Sequence, residues 1–188
     1  MRGAITQRIT DILVSNEIII AENRNLYSYG LQQGLLMILN IATFLGIGIV
    51  LNMVWESILF LLTFIPLRSN AGGYHAKTKL RCYLYSVAMI TATLMGIQII
   101  PWTGAVCLTM SLVAGTIIFF FAPVEAVNKS LSQVEKAVYK KRAGLSLILF
   151  VCSVFLFCYI GRLVIAICIM MGVVVVSIMV VLGRVKNR

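Results

Sequence analysis

The stretch "VVVVSIMVVLGRVKNR", residues 173–188, decides the fold class. From Leu163 to Gly183 no residue carries a charge, and Arg184, Lys186 and Arg188 then follow together. About 20 apolar residues suffice for a helix to cross a hydrocarbon core about 30 Å thick. The stretch therefore reads as the end of a lipid-facing span with a basic stop.

Working back along the chain, similar apolar runs recur at about 30–50, 52–67, 82–100, 103–122 and 143–160, with the last at 163–182. The whole 188-residue chain is 61% hydrophobic and only 12% charged. A soluble domain is about half apolar and about a quarter charged, so this chain has too little polar surface to cover a water-soluble globule. The expectation is an all-α integral membrane protein of about six transmembrane helices. It would form a single polytopic membrane domain over 1–188.

The first 26 residues differ in character. Ile5, Ile9, Ile12 and Leu13 recur at helical spacing, with Arg2, Arg8 and Asp11 off that stripe. This suits an amphipathic helix lying in the membrane interface, with a plain cap helix as the alternative. Charges of both signs interrupt the segment, so it does not read as a cleaved signal. Asn52, Trp55 and Glu56 mark the turn between the first two runs. Asn40, inside the first run, is expected to make a helix–helix hydrogen bond.

Charge placement orients the spans. In a six-span arrangement every lysine and arginine except Arg162 falls on one face. Lysine and arginine accumulate on the cytoplasmic side. Both termini, the 68–81 loop and the 123–142 loop are thus expected in the cytoplasm, at a cell membrane. The net charge of +10 is divided among short juxtamembrane loops, where anionic lipid is the natural partner. It does not indicate nucleic acid. The five cysteines contain no CxxC pair, and there is one histidine. Neither a disulfide framework, nor a metal site, nor a cofactor is expected.

That histidine lies in "RSNAGGYHAKTKLRCYLYS", residues 68–86. A thiol becomes a good nucleophile when it ionises, and positive surroundings favour ionisation. Cys82 begins the third span, beside Lys79 and Arg81, at the positive end of a helix. His75 can act as its base. On a straight helix the two would sit about 10.5 Å apart along the axis, and side chains lean toward the N-terminus. They can meet only if the chain breaks, and "AGG" before His75 permits sharp turns. Residues 70–78 are therefore expected to be non-helical or broken, folding His75 back over the start of the third span. The blander alternatives are an exposed loop histidine with an inert, or a lipidated, cysteine.

The segment "RSNAGGYHAKTKLRC" resembles the signature of the AgrB family, the accessory gene regulator B proteins. A second segment, "FAPVEAVNKSLSQVEKAVYKKRA" (121–143), is similar to that family's Ala-Pro motif and lysine-rich loop. The resemblance implies a membrane-embedded cysteine endopeptidase. Such an enzyme cuts an AgrD-like quorum-sensing precursor peptide through an acyl-enzyme thioester and enables its cyclisation to a thiolactone. Carried over by position, Cys82 would be the nucleophile and His75 the base, while Arg68, Gly72 and Gly73 match other motif positions. The resemblance also implies a homodimer. Asn70, Thr78 and Ser86 are candidates to orient the base. Lys129, Lys136, Lys140 and Lys141 would dock an acidic part of the precursor, or anchor the loop on anionic lipid. The competing function is a peptide exporter or permease without covalent chemistry.

Overall fold

A computed structural model of the chain describes residues 2–16, 19–73, 79–124 and 132–186. Among these described residues seven α-helices follow one another: α1 (Arg2–Ser15), α2 (Arg24–Val50), α3 (Val54–Ala71), α4 (Lys79–Ile99), α5 (Gly104–Phe121), α6 (Gln133–Tyr159) and α7 (Leu163–Lys186). A 3-10 turn, Ala21–Asn23, precedes α2. Five of the helices are long and apolar enough to cross a membrane: α2, α4, α5, α6 and α7. The protein is an all-α membrane protein. α3 is not among the five; it carries Glu56, Ser57, Thr63, Arg68, Ser69 and Asn70 in 18 residues.

The chain divides into two compact units, 1–43 and 44–188. In the first, α1 buries Thr6 and Thr10 and leaves Ile9 and Ile12 exposed. The Thr10 hydroxyl donates to the Thr6 carbonyl at 2.6 Å, so its burial leaves no unpaired donor. Arg24 pairs with Asp11 at 2.6 Å. Both partners are exposed, so the pair contributes about 1 kcal/mol at most. The Asn40 side chain does not reach another helix as expected. Its Nδ2 donates to the Leu36 carbonyl, one turn back, at 2.9 Å.

The second unit is organised around α7. In the most apolar 18-residue stretch of α7, 61% of positions are buried, against 28% or less in the corresponding stretch of each of the other four spans. This reverses the expectation of a lipid-facing last span. The reason is side-chain size. Lipid tails are as apolar as leucine, so hydropathy does not drive helices together in a membrane; small residues that allow close approach do. α7 buries Ala166, Gly172, Val173, Val176, Ser177, Val180 and Gly183. A Cβ on Gly172 would lie 2.8 Å from Thr63 Cβ, which shows how closely α3 approaches. α5 likewise buries Cys107, Ser111, Ala114, Gly115 and Ile118, while Leu112, Val113, Phe119 and Phe120 point outward. Buried hydroxyls on α3 are paired within the helix: Ser57 donates to the Met53 carbonyl at 2.8 Å and Thr63 to the Leu59 carbonyl at 3.2 Å.

Leu67, Ala71, Ala114, Ile118, Ala122, Ala143, Leu147, Val173, Val176 and Val180 form one buried apolar cluster. It lies where α3, α5 and α7 end and α6 begins. That end of the unit carries the candidate site.

Candidate active site

The last turn of α3 sets the site's first wall. Pro66 lies inside the helix, and the carbonyls around it also accept from side chains. Asn70 Nδ2 donates to the Pro66 carbonyl at 2.8 Å and Ser69 Oγ to the Ile65 carbonyl at 2.7 Å. Such back-bonding ties both side chains to carbonyls one turn back in their own helix. Asn70 is thus engaged with its own helix.

The helix then stops abruptly. Gly72 has φ 69° and ψ −152°, and Gly73 has φ 131°. Residues with a Cβ rarely adopt these values. The break lies two residues later than expected, since Asn70 and Ala71 are still helical. Residues 74–78 lie outside the described residues, and with them His75 and Thr78; so does Lys129.

The two quoted segments meet at this break. The Val124 N–H donates to the Ala71 carbonyl at 2.9 Å. Gly72 and Val124 form an isolated parallel bridge. The Val124 carbonyl occupies the space a Cβ on Gly72 would need. A Cβ on Gly73 would come within 2.9 Å of the Met179 carbonyl of α7 and 3.2 Å of the Arg68 guanidinium. Glycine is therefore required twice, by backbone angle and by backbone proximity. The Ala122–Pro123 peptide before Val124 is cis.

Arg68 stands one turn before the break, half-buried. Burial pushes its guanidinium below its ordinary value, and the charge of Cys82 opposes that shift. Arginine remains cationic all the same. It therefore places a fixed positive charge within electrostatic reach of the thiol. Cys82 is a free, half-exposed cysteine in the first turn of α4. There the first four N–H groups lack helical partners and the helix dipole is positive. Ser86 Oγ donates to the Cys82 carbonyl at 3.0 Å, so its hydroxyl proton is engaged with the helix.

The basic residues after Val124 are partly helical, not a loop throughout. α6 begins at Gln133 behind a capping box. The Glu135 N–H donates to Ser132 Oγ at 3.2 Å, and the Ser132 N–H donates to Glu135 Oε2 at 2.8 Å. Lys136, Lys140 and Lys141 lie on the first turns of this helix. Lys140 stands at a small apolar cleft with Ile118, Ala122 and Ala143. Arg184 lies over the Phe121 ring at 4.8 Å, adding a further cation at the same end.

Sequence reading missed Val124 and Met179. Both act through backbone atoms, which leave no compositional signal.

Comparison with known proteins agrees with the resemblance. The family model described as Accessory gene regulator B matches residues 6–180. An AgrB-like protein of Clostridium perfringens (strain SM101 / Type A) is 26% identical over 137 residues, covering 68% of this chain and 63% of that protein. A second AgrB-like protein, from C. perfringens (strain 13 / Type A), is 25% identical over 137 residues with the same coverage. The chain thus spans 63% of the length of these curated relatives. No solved structure matches.

Proposed function

The chain belongs to the accessory gene regulator B family, and from that premise we propose that it is a membrane-embedded cysteine endopeptidase of an accessory gene regulator quorum-sensing system. Its substrate is an AgrD-like precursor peptide. The observation that carries this reading is the placement of Cys82: a free thiol in the first turn of α4, seven residues after His75 and following the Gly72–Gly73 break.

In the proposed reaction His75 takes the Cys82 proton and the thiolate attacks the scissile carbonyl. The C–N bond then breaks, His75 returns the proton to the leaving amine, and an acyl thioester remains on Cys82. His75, neutral again, takes the proton of a thiol within the bound peptide, and that sulfur attacks the thioester. Cys82 leaves as thiolate, and the product is a thiolactone ring. Thiol–thioester exchange is nearly isoenergetic, so closure competes with hydrolysis only where water is kept out. A site at a membrane mouth favours that outcome. Arg68 supports the developing charge, and Gly72 and Gly73 hold the turn.

The site faces the cytoplasm together with both termini, an arrangement that requires α3 to cross as a sixth span beside the five apolar helices and that is supported by the asymmetry of lysine and arginine. Lys129, Lys136, Lys140 and Lys141 receive an acidic part of the precursor or anionic lipid, and the protein acts as a homodimer. Co-expression with the precursor tests the chemistry. Cys82→Ala and His75→Ala should each abolish cleavage, with insertion unchanged; continued cleavage by both would overturn it. Changing the four lysines to alanine should reduce cleavage in a salt-sensitive way, and unaltered cleavage would leave them a lipid role only.

A further inference from the structure

The acyl-transfer reading assigns no role to Ala122–Val124, the segment that follows α5 and meets the end of α3. We infer that Ala122–Val124 is a positioning element of the active site: its backbone at Val124 sets the direction in which the chain leaves α3 toward His75. This inference rests on the proposed endopeptidase function.

Three observations carry it. First, the Val124 N–H donates to the carbonyl of Ala71, the last residue of α3, at 2.9 Å. It therefore ties down the residue immediately before the break. Second, the Val124 carbonyl lies where a Gly72 Cβ would be, so Gly72 is gripped from the side its missing side chain leaves open. Third, the joint is anchored from beneath. Leu67, Ala71, Ala122 and Val180 are buried in one cluster, and Val124 packs against it. α3, α5 and α7 thus all contribute to holding one peptide unit.

The bridge between Gly72 and Val124 is parallel, so the two segments run through it in the same sense. One leads in three residues from Gly72 to His75; the other leads in five from Val124 to Lys129. The proposed base and the proposed substrate-docking loop therefore start from one joint. Catalytic groups must be held within about 0.5 Å of productive geometry, and a shift of about 1 Å can cost on the order of 100-fold in rate. A shift at Gly72 is passed on to Gly73 and to the chain that follows it. Val124 is accordingly a positioning residue; it need not touch the substrate.

The test uses the full chain in membranes with its precursor peptide, with activity expressed per inserted molecule. Val124→Pro removes the N–H that holds Ala71; Val124→Ala retains it. Val124→Pro should lower kcat by on the order of 100-fold with little change in KM, and Val124→Ala should stay near wild type. The decisive readout is the pH profile. An enzyme whose base is displaced gains activity with rising pH as an unaided thiol ionises, so the residual activity of Val124→Pro should keep climbing at pH values where the wild type has levelled off. A merely structural loss scales the wild-type profile down without changing its shape. That result, or a wild-type kcat, overturns the inference. Replacing the Pro123–Val124 amide by an ester deletes the N–H and keeps the side chain; the same outcomes apply to it if the proline variant fails to insert. Cys82→Ala separates the two levels: cleavage by that variant sinks the endopeptidase reading, whereas its inactivity beside a wild-type-shaped Val124→Pro profile sinks this inference alone.

Discussion

Gly73→Ala should silence cleavage while leaving most of the helical bundle's stability intact. The new methyl group meets the Met179 carbonyl at 2.9 Å and its carbon at 3.0 Å, and the Arg68 guanidinium at 3.2 Å. The guanidinium is the far end of a flexible side chain and can give. The Met179 carbonyl is part of α7 and cannot. Accommodating a side chain at φ 131° costs about 1–3 kcal/mol, and overpacking adds about 1–3 kcal/mol. Left in place, the turn would thus carry about 2–6 kcal/mol of strain. A cheaper course is to let the turn lift off. The hydrogen bond lost between Val124 and Ala71 is worth about 1 kcal/mol net. The turn should move, and the helices should stay. Cleavage of the precursor should fall by about 100-fold or more, while denaturant unfolding of the same membrane-extracted protein shifts by only about 1–2 kcal/mol. Wild-type cleavage by Gly73→Ala would refute the reasoning about the site. A stability loss near the upper bound would refute the local release and make the turn an integral part of the bundle.

Two further outcomes test the fold. Gly172→Ala places a methyl group 2.8 Å from Thr63 Cβ and Cγ2; overpacking of about 1–3 kcal/mol should outweigh a helix-propensity gain of about 1 kcal/mol. In a Thr63→Gly background the clash is gone, so the same change should become stabilising, and an unchanged sign in the double-mutant cycle would rule out the close α3–α7 contact. Ser132→Ala removes the cap of α6 and should cost about 1 kcal/mol. It should appear as faster hydrogen exchange in the first turn of α6, and unaltered exchange there would deny the capping box its role.

How far the fold is readable from sequence follows from which interactions leave a trace in composition. Uncharged runs of about 20 residues are helices in lipid, because barrel strands span with only about 10 and a helix satisfies its backbone within the run; the all-α membrane class follows. Burial within the membrane is another matter. α7 is valine-rich like a lipid-facing helix, but Ala166, Gly172, Ser177 and Gly183 mark the face that packs. Hydropathy treats protein and lipid neighbours alike, so the small residues were the better guide. The start of α6 was hidden by using charge as a boundary, although Ser132 with Glu135 three residues later is a capping-box signature. At the site, the two adjacent glycines announced a break, since their backbone freedom is visible in sequence. Their partners were not visible, because the Val124 and Met179 carbonyls are atoms that any residue possesses.

The central position of α7 has a consequence for synthesis. Chains emerge N-terminus first and begin to fold in that order. α3, α4, α5 and α6 therefore reach the membrane before the helix they are arranged around. Until α7 arrives, Gly73 has no Met179 carbonyl to lie against and the apolar cluster lacks Val173, Val176 and Val180. A nascent chain carries Cys82 for much of translation with the surrounding turn unseated. On the role proposed for Cys82, competence waits until α7 is threaded into place, so a chain interrupted before α7 should be inert.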